Sequence, residues 1–464
     1  MTIHFGTSGW RAVIADDFTF AAVRRVTEAI CLQFTSGQTS QPLIVAHDSR
    51  FLGEHFADQC TQIVQQHGFN ALRCVGPTPT PAVSHAIRSN KAVCGINFTA
   101  SHNPPEYNGM KLSTADGAPA LPGVTQKLES ILANWNPKQD QVNQSGKTED
   151  HDPRVAYLAD LKDKIRFDVI AKANAKYAYD PMWGTGRSYL DGVLREHGLT
   201  VTTIHDWRDV LFGGRAPEPE ESHLDELRKV VSREKCALGL ATDGDSDRFG
   251  VIDSNGQFIT PNQLIAVLFD YLAESRNWTG GVARSVATSH LVDRVAQMRG
   301  LPVYETPVGF KYIGELINED KIILGGEESA GLSIKGHYPE KDGVLACLLA
   351  AEAVAARNAS LTEQLDALFQ KTGGRLESGR IGVQLTPELM PVLAEKLKEE
   401  PTSIGGKTIK SINRIDGLKL IFEDGSWLLV RPSGTEPLVR IYAESESQEN
   451  MEVLLEQGRK YLLG

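Results

Sequence analysis

Apolar residues along this chain follow two alternating patterns, one spaced three to four residues apart and one in short unbroken runs, and the runs end in polar loops. Phe20, Val23, Val26, Ile30 and Phe34 recur at helical spacing and predict a helix with one core-facing stripe. The strand-like LIVAH (Leu43 to His47), a helix near Glu54 to His67, strand-like ALRCV, a helix after PTPTP and the run AVCGINF follow. Strands alternating with helices predict a mainly parallel sheet with crossover helices. AVCGINF delivers the polar stretch FTASHNPPEYNGMK, Phe98 to Lys111, at its carboxyl end, where open α/β sheets place their chemistry.

From Asn136 to Pro153 the chain is polar and aperiodic, which sets a first domain boundary. A second alternation begins with a helix near Pro153 to Ile165, strand KYAYD and loop PMWGTG. It continues with a helix, strand VTTIH, a Pro/Glu-rich loop, a helix from about Ser222 and strand CALGLAT, which ends in DGDSDRFG, Asp243 to Gly250. RFGVIDSNGQFIT then reads as a hairpin turning at Asn255 and Gly256. A third alternation, from about Pro261 to Gln370, carries the loops ETPVGFK (Glu305 to Lys311), GGEESAG (Gly325 to Gly331) and PEKDG (Pro339 to Gly343). After KTGGR the pattern becomes helix, several short strands and a final helix, with RPSGTEP (Arg431 to Pro437) between two strands. The expected domains are 1–150, 151–255, 256–370 and 371–464. Three are similar modules without a fixed-period repeat, and the last is a smaller α+β unit.

Composition narrows the function classes. The 464 residues are 41% hydrophobic, enough for several cores. Lys plus Arg number 48 against 59 Asp plus Glu, a net charge of -11. Nucleic acid and anionic membrane are therefore not expected partners, whereas an anionic small molecule needs only local cations. The six cysteines, Cys31, Cys60, Cys74, Cys94, Cys236 and Cys347, are dispersed and read as buried thiols of a reducing cytosol. Arg11, Asp16 and Asp17 interrupt any signal-peptide pattern, and the apolar run LACLLAAEAVAA is short and holds Glu352. A soluble cytoplasmic protein is the expectation.

Several loops carry candidate chemistry. In extended backbone Asp243, Asp245 and Asp247 point to one side, and three such charges call for a cation; oxygen-only ligands favour Mg²⁺ or Ca²⁺. An EF-hand fails, because glycine and glutamate are required where Arg248 and Ser254 stand. The adjacent Arg248 strengthens a phosphoryl reading. RPSGTEP has the composition of a phosphate nest or of a plain Pro/Gly turn. FGTSGWR, Phe5 to Arg11, surrounds one cation with glycines and hydroxyls and by itself reads as a turn before a helix. Ser101 lies outside a GxSxG elbow, so acyl transfer lacks support. His102 is a base or a packed loop histidine; Lys111 is a phosphate contact or a solvated cation. In GGEESAG two carboxylates beside Ser329 suit sugar hydroxyls or a solvated turn.

Together FGTSGWR, TASHNPPEYNGMK, DGDSDR, ETPVGFK, GGEES, EKDG and RPSGTEP resemble, in type and order, the α-D-phosphohexomutases, over nearly the whole chain. The resemblance implies three related α/β/α modules with mainly parallel sheets plus a C-terminal α+β domain, arranged around a central cleft. It implies a phosphoserine at Ser101 and Mg²⁺ held by Ser101, Asp243, Asp245 and Asp247. Arg11 and Arg248 would assist, with His102 and Lys111 as acid/base candidates. Arg431, Ser433, Gly434 and Thr435 would hold the idle phosphate, and Glu327 and Ser329 would read sugar hydroxyls. The expected substrate is a hexose phosphate, with hexose 1,6-bisphosphate as intermediate and activator, in a monomer or homodimer.

The dual mannose/glucose branch is typified by GEMSGH and the phosphoglucosamine branch by GEQSGH; this chain has GEESAG, with Gly331 where they carry histidine. ETPVGFK and EKDG are closer to the phosphoglucomutase branch, which adds Lys311 as a ligand contact, although Ala330 departs from that branch's glycine or aromatic residue. Glucose 1-phosphate/glucose 6-phosphate interconversion is the leading expectation, with phosphomannomutase or dual activity as the alternative. A non-catalytic sugar-phosphate sensor and a Mg²⁺ phosphohydrolase with an aspartate nucleophile are more distant readings.

Overall fold

The same four-strand arrangement occurs in each of the first three sheets. In the first, Ala71–Cys74, Leu43–His47 and Cys94–Phe98 lie side by side in parallel, and Tyr107–Thr114 returns antiparallel beside the last. In the second, Thr200–Thr203, Lys176–Asp180 and Leu238–Thr242 are parallel and Phe249–Asp253 returns antiparallel. In the third, Val303–Thr306, Gly281–Ser285 and Ile322–Glu327 are parallel and Gly331–Ile334 returns antiparallel. The shared order, second-first-third-fourth, makes the three modules related. Helices form the crossovers between parallel strands, as parallel pairing requires. Leu43–His47, Cys94–Phe98, Leu238–Thr242, Gly281–Ser285 and Ile322–Glu327 are buried along their whole length, which is why LIVAH, AVCGINF and CALGLAT are largely apolar in sequence.

This computed structural model describes residues 3–6, 8–34, 41–135, 146–433 and 438–463. The sheets are parallel at the centre, as expected, with an antiparallel edge, because a strand that reverses directly after its neighbour needs only a short loop. The sequence expectation is corrected at two places. Lys111 lies on the returning strand Tyr107–Thr114, opposite Asn97, and not in a loop. FGTSGWR leads into a strand, Trp10–Val13, paired antiparallel with Tyr107–Thr114, and not directly into a helix. In addition, Thr148–His151 lies within the polar stretch that marked the first boundary. It pairs in parallel with Ala71–Cys74 and extends the first sheet as a polar edge strand. The hairpin at Asn255 and Gly256 forms as expected, with Phe258–Ile259 pairing back on Phe249–Asp253.

The C-terminal sheet has six antiparallel strands in the order Glu377–Gln384, Leu438–Ser445, Trp427–Pro432, Leu418–Phe422, Lys407–Asn413 and Ser403–Ile404. Helix Gln448–Leu463 packs on it, with helix Leu389–Lys396 alongside. Trp427, Leu429 and Tyr442 of this sheet share an apolar cluster with Val286 and Ala287 of the third module.

The first module has its own core, but the second and third share one that runs from Tyr157 to Leu376 and also takes in Ala82 of the first. The run LACLLAAEAVAA lies in the central helix of that core, Gly343–Arg357. Its buried Glu352 accepts hydrogen bonds from Tyr271 Oη at 2.6 Å, Arg276 Nη2 at 2.6 Å and Arg166 Nε at 3.0 Å. Several donors compensate the desolvation that an unpaired carboxylate would suffer there. No single helix among the described residues is long and apolar enough to cross a membrane. The six cysteines are buried free thiols.

Candidate active site

Ser101 follows the buried strand Cys94–Phe98 in left-handed backbone, φ 52°, a conformation that costs a non-glycine residue about 1–2 kcal/mol. Its surroundings hold it there. Thr99 Oγ1 accepts the Ser101 N–H at 2.9 Å, and the guanidinium of fully buried Arg50 donates to the carbonyls of Ser101, Asn103, Pro104 and Tyr107 at 2.6–3.0 Å. Asp48 orients Arg50 through Nε at 3.2 Å and accepts from Thr99 Oγ1 at 2.6 Å.

Across the interface with the second module, Ser101 Oγ donates to Asp243 Oδ2 at 2.7 Å. Asp243, Asp245 and Asp247 are buried, and each offers an oxygen within 4.8 Å of the others. Two lysines neutralise part of this charge. Lys111 Nζ lies 2.5 Å from Asp245 Oδ2 and 2.6 Å from Asp247 Oδ2, and Lys341 Nζ lies 2.8 Å from Asp247 Oδ2. Thr80 Oγ1 also donates to Asp245 Oδ2 at 2.5 Å. Burial alone would raise all three carboxyls. Lys111 and Lys341 outweigh it at Asp247, and Lys111 does so at Asp245, so both sit below the usual range. Asp243 is pushed well up by burial and by the charges of Asp245 and Asp247. Burial pulls the Lys111 ammonium down, but Asp245 and Asp247 more than offset it and raise it.

These residues fit a hard divalent cation. Asp245 Oδ1 and Asp247 Oδ1 are buried without a hydrogen-bond partner, and an all-oxygen donor set is what Mg²⁺ prefers. Arg248 links this cluster to the open cleft: its N–H donates to Asp243 Oδ1 at 3.0 Å, while its Nη1 pairs with Glu218 at 2.9 Å. Arg11 Nη1 donates to Asn103 Oδ1 at 2.6 Å on the serine loop. His102 Nδ1 stands 3.4 Å from Ser101 Oγ, and burial, then Arg248 and Arg11, push its pKa well down.

A cavity of about 560 Å³ opens between the second module, the third module and the C-terminal domain. Arg248, Glu218, Glu328, Ser329, Arg380, Trp427 and Tyr442 are among its walls. Of the expected site residues, Arg248 and Ser329 line it. Ser101, His102, Lys111 and the three aspartates converge beside Arg248, and Arg11 reaches the same serine loop. Glu327, Lys311, Arg431 and Ser433 do not line the cavity and gather at the loop Glu305 to Lys311 and the C-terminal sheet. Glu327 is buried, accepts Gly309 N–H at 2.8 Å, and is raised to about 7 by burial and then by Glu328. Half-buried Lys311 holds its ammonium 5.5 Å from the Tyr312 ring centre, and burial lowers its pKa. Arg431 Nε pairs with Asp416 at 2.7 Å, and Ser433 N–H donates to Leu438 O at 2.8 Å. Gly434 and Thr435 lie outside the described residues.

Sequence reasoning missed Arg50, Thr80, Glu218 and Lys341 as functional groups. Arg50 had a usable signal, since the polar DSR follows a buried strand as Ser101 does. Lys341 stood in a quoted motif without a role. Its stem also accounts for Gly331: a Cβ there would meet Lys341 Cδ at 2.3 Å and Cγ at 2.7 Å. The space a histidine would need is filled by the lysine that reaches Asp247.

The geometry agrees with four family models. Phosphoglucomutase/phosphomannomutase alpha/beta/alpha domains I, II and III match residues 2–139, 155–256 and 260–372, and the C-terminal domain of the same family matches 380–460. A provisionally named phosphoglucosamine mutase of Methanosphaera stadtmanae is 31% identical over 99% of this chain and 98% of its own. A phosphoglucomutase/phosphomannomutase of Thermococcus kodakarensis is 31% identical over the same shares. A crystal structure from Thermus thermophilus, provisionally named phosphomannomutase, is 34% identical, covers 100% of both chains and superposes with a TM-score of 0.88. The chain belongs to the phosphoglucomutase/phosphomannomutase family of the α-D-phosphohexomutases, enzymes that isomerise sugar phosphates by phosphoryl transfer.

Proposed function

We propose that this enzyme interconverts glucose 1-phosphate and glucose 6-phosphate through a phosphorylated Ser101 and a hexose 1,6-bisphosphate. The observation that carries the reading is Ser101 Oγ 2.7 Å from Asp243 at the edge of a buried aspartate triad, with arginines and lysines close by. The free hydroxyl of the sugar phosphate attacks the phosphorus on Ser101. A bond forms between phosphorus and the sugar oxygen, the bond to Oγ breaks, and the hydroxyl proton passes to a base while Oγ becomes the leaving oxygen. The bisphosphate turns end for end and returns its other phosphoryl group to Ser101.

His102, whose Nδ1 stands 3.4 Å from Ser101 Oγ, is placed to take the hydroxyl proton, with Lys111 as the other acid/base candidate. Arg11 and Arg248 supply positive charge beside the transferring group. Mg²⁺, held by Asp243, Asp245, Asp247 and a phosphoserine oxygen, would neutralise the charge of that group when bound. Arg431, Ser433, Gly434 and Thr435 are assigned to the phosphate that is not reacting, and Lys311 to the ligand. Glu327 and Ser329 are assigned to the sugar 3- and 4-hydroxyls.

Glucose and mannose share those hydroxyls and differ at C2, so this loop discriminates weakly between them. Phosphomannomutase activity, alone or as a second activity, is therefore the second reading, and the Thermococcus relative carries both names. Phosphorus NMR with Mg²⁺ and a trace of bisphosphate tests both. Glucose, mannose and glucosamine phosphates belong in one panel, since the Methanosphaera relative carries the amino-sugar name. Fastest turnover of glucose phosphates is expected. Absence of turnover on every substrate would sink the mutase reading, and faster conversion of glucosamine phosphate would reassign the substrate.

A further inference from the structure

We propose that Asp416 is a positioning residue that fastens Arg431 of the C-terminal domain to the loop Glu305 to Lys311 of the third module; this rests on the mutase reading for the role of Arg431. Asp416 sits in the turn between strands Lys407–Asn413 and Leu418–Phe422. Its Oδ2 accepts twice, from Arg431 Nε at 2.7 Å and from Val308 N–H at 3.0 Å. The next amide, Gly309 N–H, donates to Glu327 Oε1 at 2.8 Å. Two consecutive amides of one loop thus connect the arginine assigned to phosphate with the carboxylate assigned to the sugar.

The turn is shaped for this contact. Asn413 Oδ1 accepts Ile415 N–H at 2.9 Å, and Asn413 Nδ2 donates to Glu305 on the same third-module loop. Gly417 has φ 96°, and a Cβ there would stand 2.5 Å from Val430 O and 3.1 Å from Arg431 Cα. Only a residue without a side chain lets the turn lie against the strand that carries Arg431. Three residues beyond Asp416, buried Lys419 donates to Val286 O at 2.7 Å and so ties the following strand to the third module.

A guanidinium has five N–H donors, and the bond at Nε uses one while fixing the plane of the rest. Ordering the arginine before the anion arrives lowers the entropy lost on binding. The Val308 bond exists only while the C-terminal domain rests on the third module. Arg431 is therefore held in place in the same arrangement that places Glu327, and phosphate capture is coupled to sugar reading.

The test combines a mutant cycle with amide exchange. Asp416→Ala should raise KM for glucose 1-phosphate on the order of tenfold, the effect of one charge-assisted hydrogen bond, with a smaller fall in kcat. Affinity for inorganic phosphate should fall by a similar factor. Asp416→Asn keeps the shape of the turn and should show the same direction, and Asp416→Glu should recover part of the loss. In an Arg431→Ala background the Asp416→Ala change should add nothing to the loss of inorganic-phosphate affinity, whereas losses of that affinity that multiply in the double variant overturn the positioning role. Hydrogen exchange at Val308 should quicken in Asp416→Ala, and unchanged exchange there overturns the fastening. If wild-type enzyme turns over no hexose phosphate, the mutase reading fails, while phosphate affinity and Val308 exchange still decide the role of Asp416.

Discussion

Around Ser101, three carboxylates, two lysines and Arg248 share a buried volume in which oxygens and nitrogens meet at 2.5–3.0 Å. Around Ser329 the protein instead leaves about 560 Å³ open, bordered by Trp427, Tyr442 and Arg380. The first region is closely held, although Asp245 Oδ1 and Asp247 Oδ1 are left without a hydrogen-bond partner. The second has room for a hexose and few fixed contacts. The contrast suits a reaction in which one phosphoryl position must stay constant while the sugar presents either end. Under the proposed reaction, positional precision is concentrated where bonds change, and tolerance where the ligand turns.

The largest expected effect tests the fixed region. Ser101→Ala should lower kcat by at least on the order of 10⁴-fold, with the melting temperature little changed. Unchanged turnover in that variant would remove the serine from the chemistry and dissolve the contrast. Next is removal of divalent cations by chelation. Turnover should fall on the order of 10³-fold and return with Mg²⁺. Thermal unfolding should move little, because Lys111 and Lys341 already balance Asp245 and Asp247. Unfolding of the chelated protein would mean that the ion, and not the lysines, holds the region together.

Arg50→Met probes the same region through stability. It leaves Asp48 buried without its cation and releases four carbonyls of the serine loop, at a cost of about 3–5 kcal/mol in urea unfolding. A cost below about 1 kcal/mol would show that the loop holds itself.

The smallest effect lies at the sugar loop. Burial, then Glu328, raises Glu327 from 4.5 to about 7, so the folded chain binds this proton more tightly than the unfolded chain. The resulting stabilisation is complete below about pH 4.5 and is lost as pH rises through about 7, at most about 3 kcal/mol in all. Glu327→Gln should flatten that part of the stability profile between pH 4.5 and 7.5. An unchanged profile would place the titration elsewhere.

What the sequence disclosed follows the same division. The aspartate triad was legible because its three carboxylates stand within five residues, although they lie in a turn with Ser246 at φ 61° and not in the expected extended backbone. Ser101 was legible as the polar end of a buried strand, but its partner Asp243 belongs to another module. The parallel strands were legible because burial on both faces leaves a largely apolar run. Strand Trp10–Val13 was not, since its partner lies about a hundred residues away, and neither was Thr148–His151, whose exposed edge permits polar residues. Arg50, Thr80 and Lys341 were missed as functional groups for a related reason. Each gains its meaning from a carbonyl or carboxylate contributed by another segment, and pairing of that kind leaves no periodic trace. Gly331 was noticed as a departure, but the lysine stem that fills its space became visible only in three dimensions.

The common core of the second and third modules has a further consequence. With helix Gly343–Arg357 threaded through both and Glu352 bonded to residues of each, these two modules form one spine. The first module and the C-terminal domain join that spine through polar seams, where Ser101, Thr80 and Lys111 meet the three aspartates and where Asp416 meets Val308. The candidate site thus lies where outer units meet one spine, so its completeness depends on docking as well as on folding.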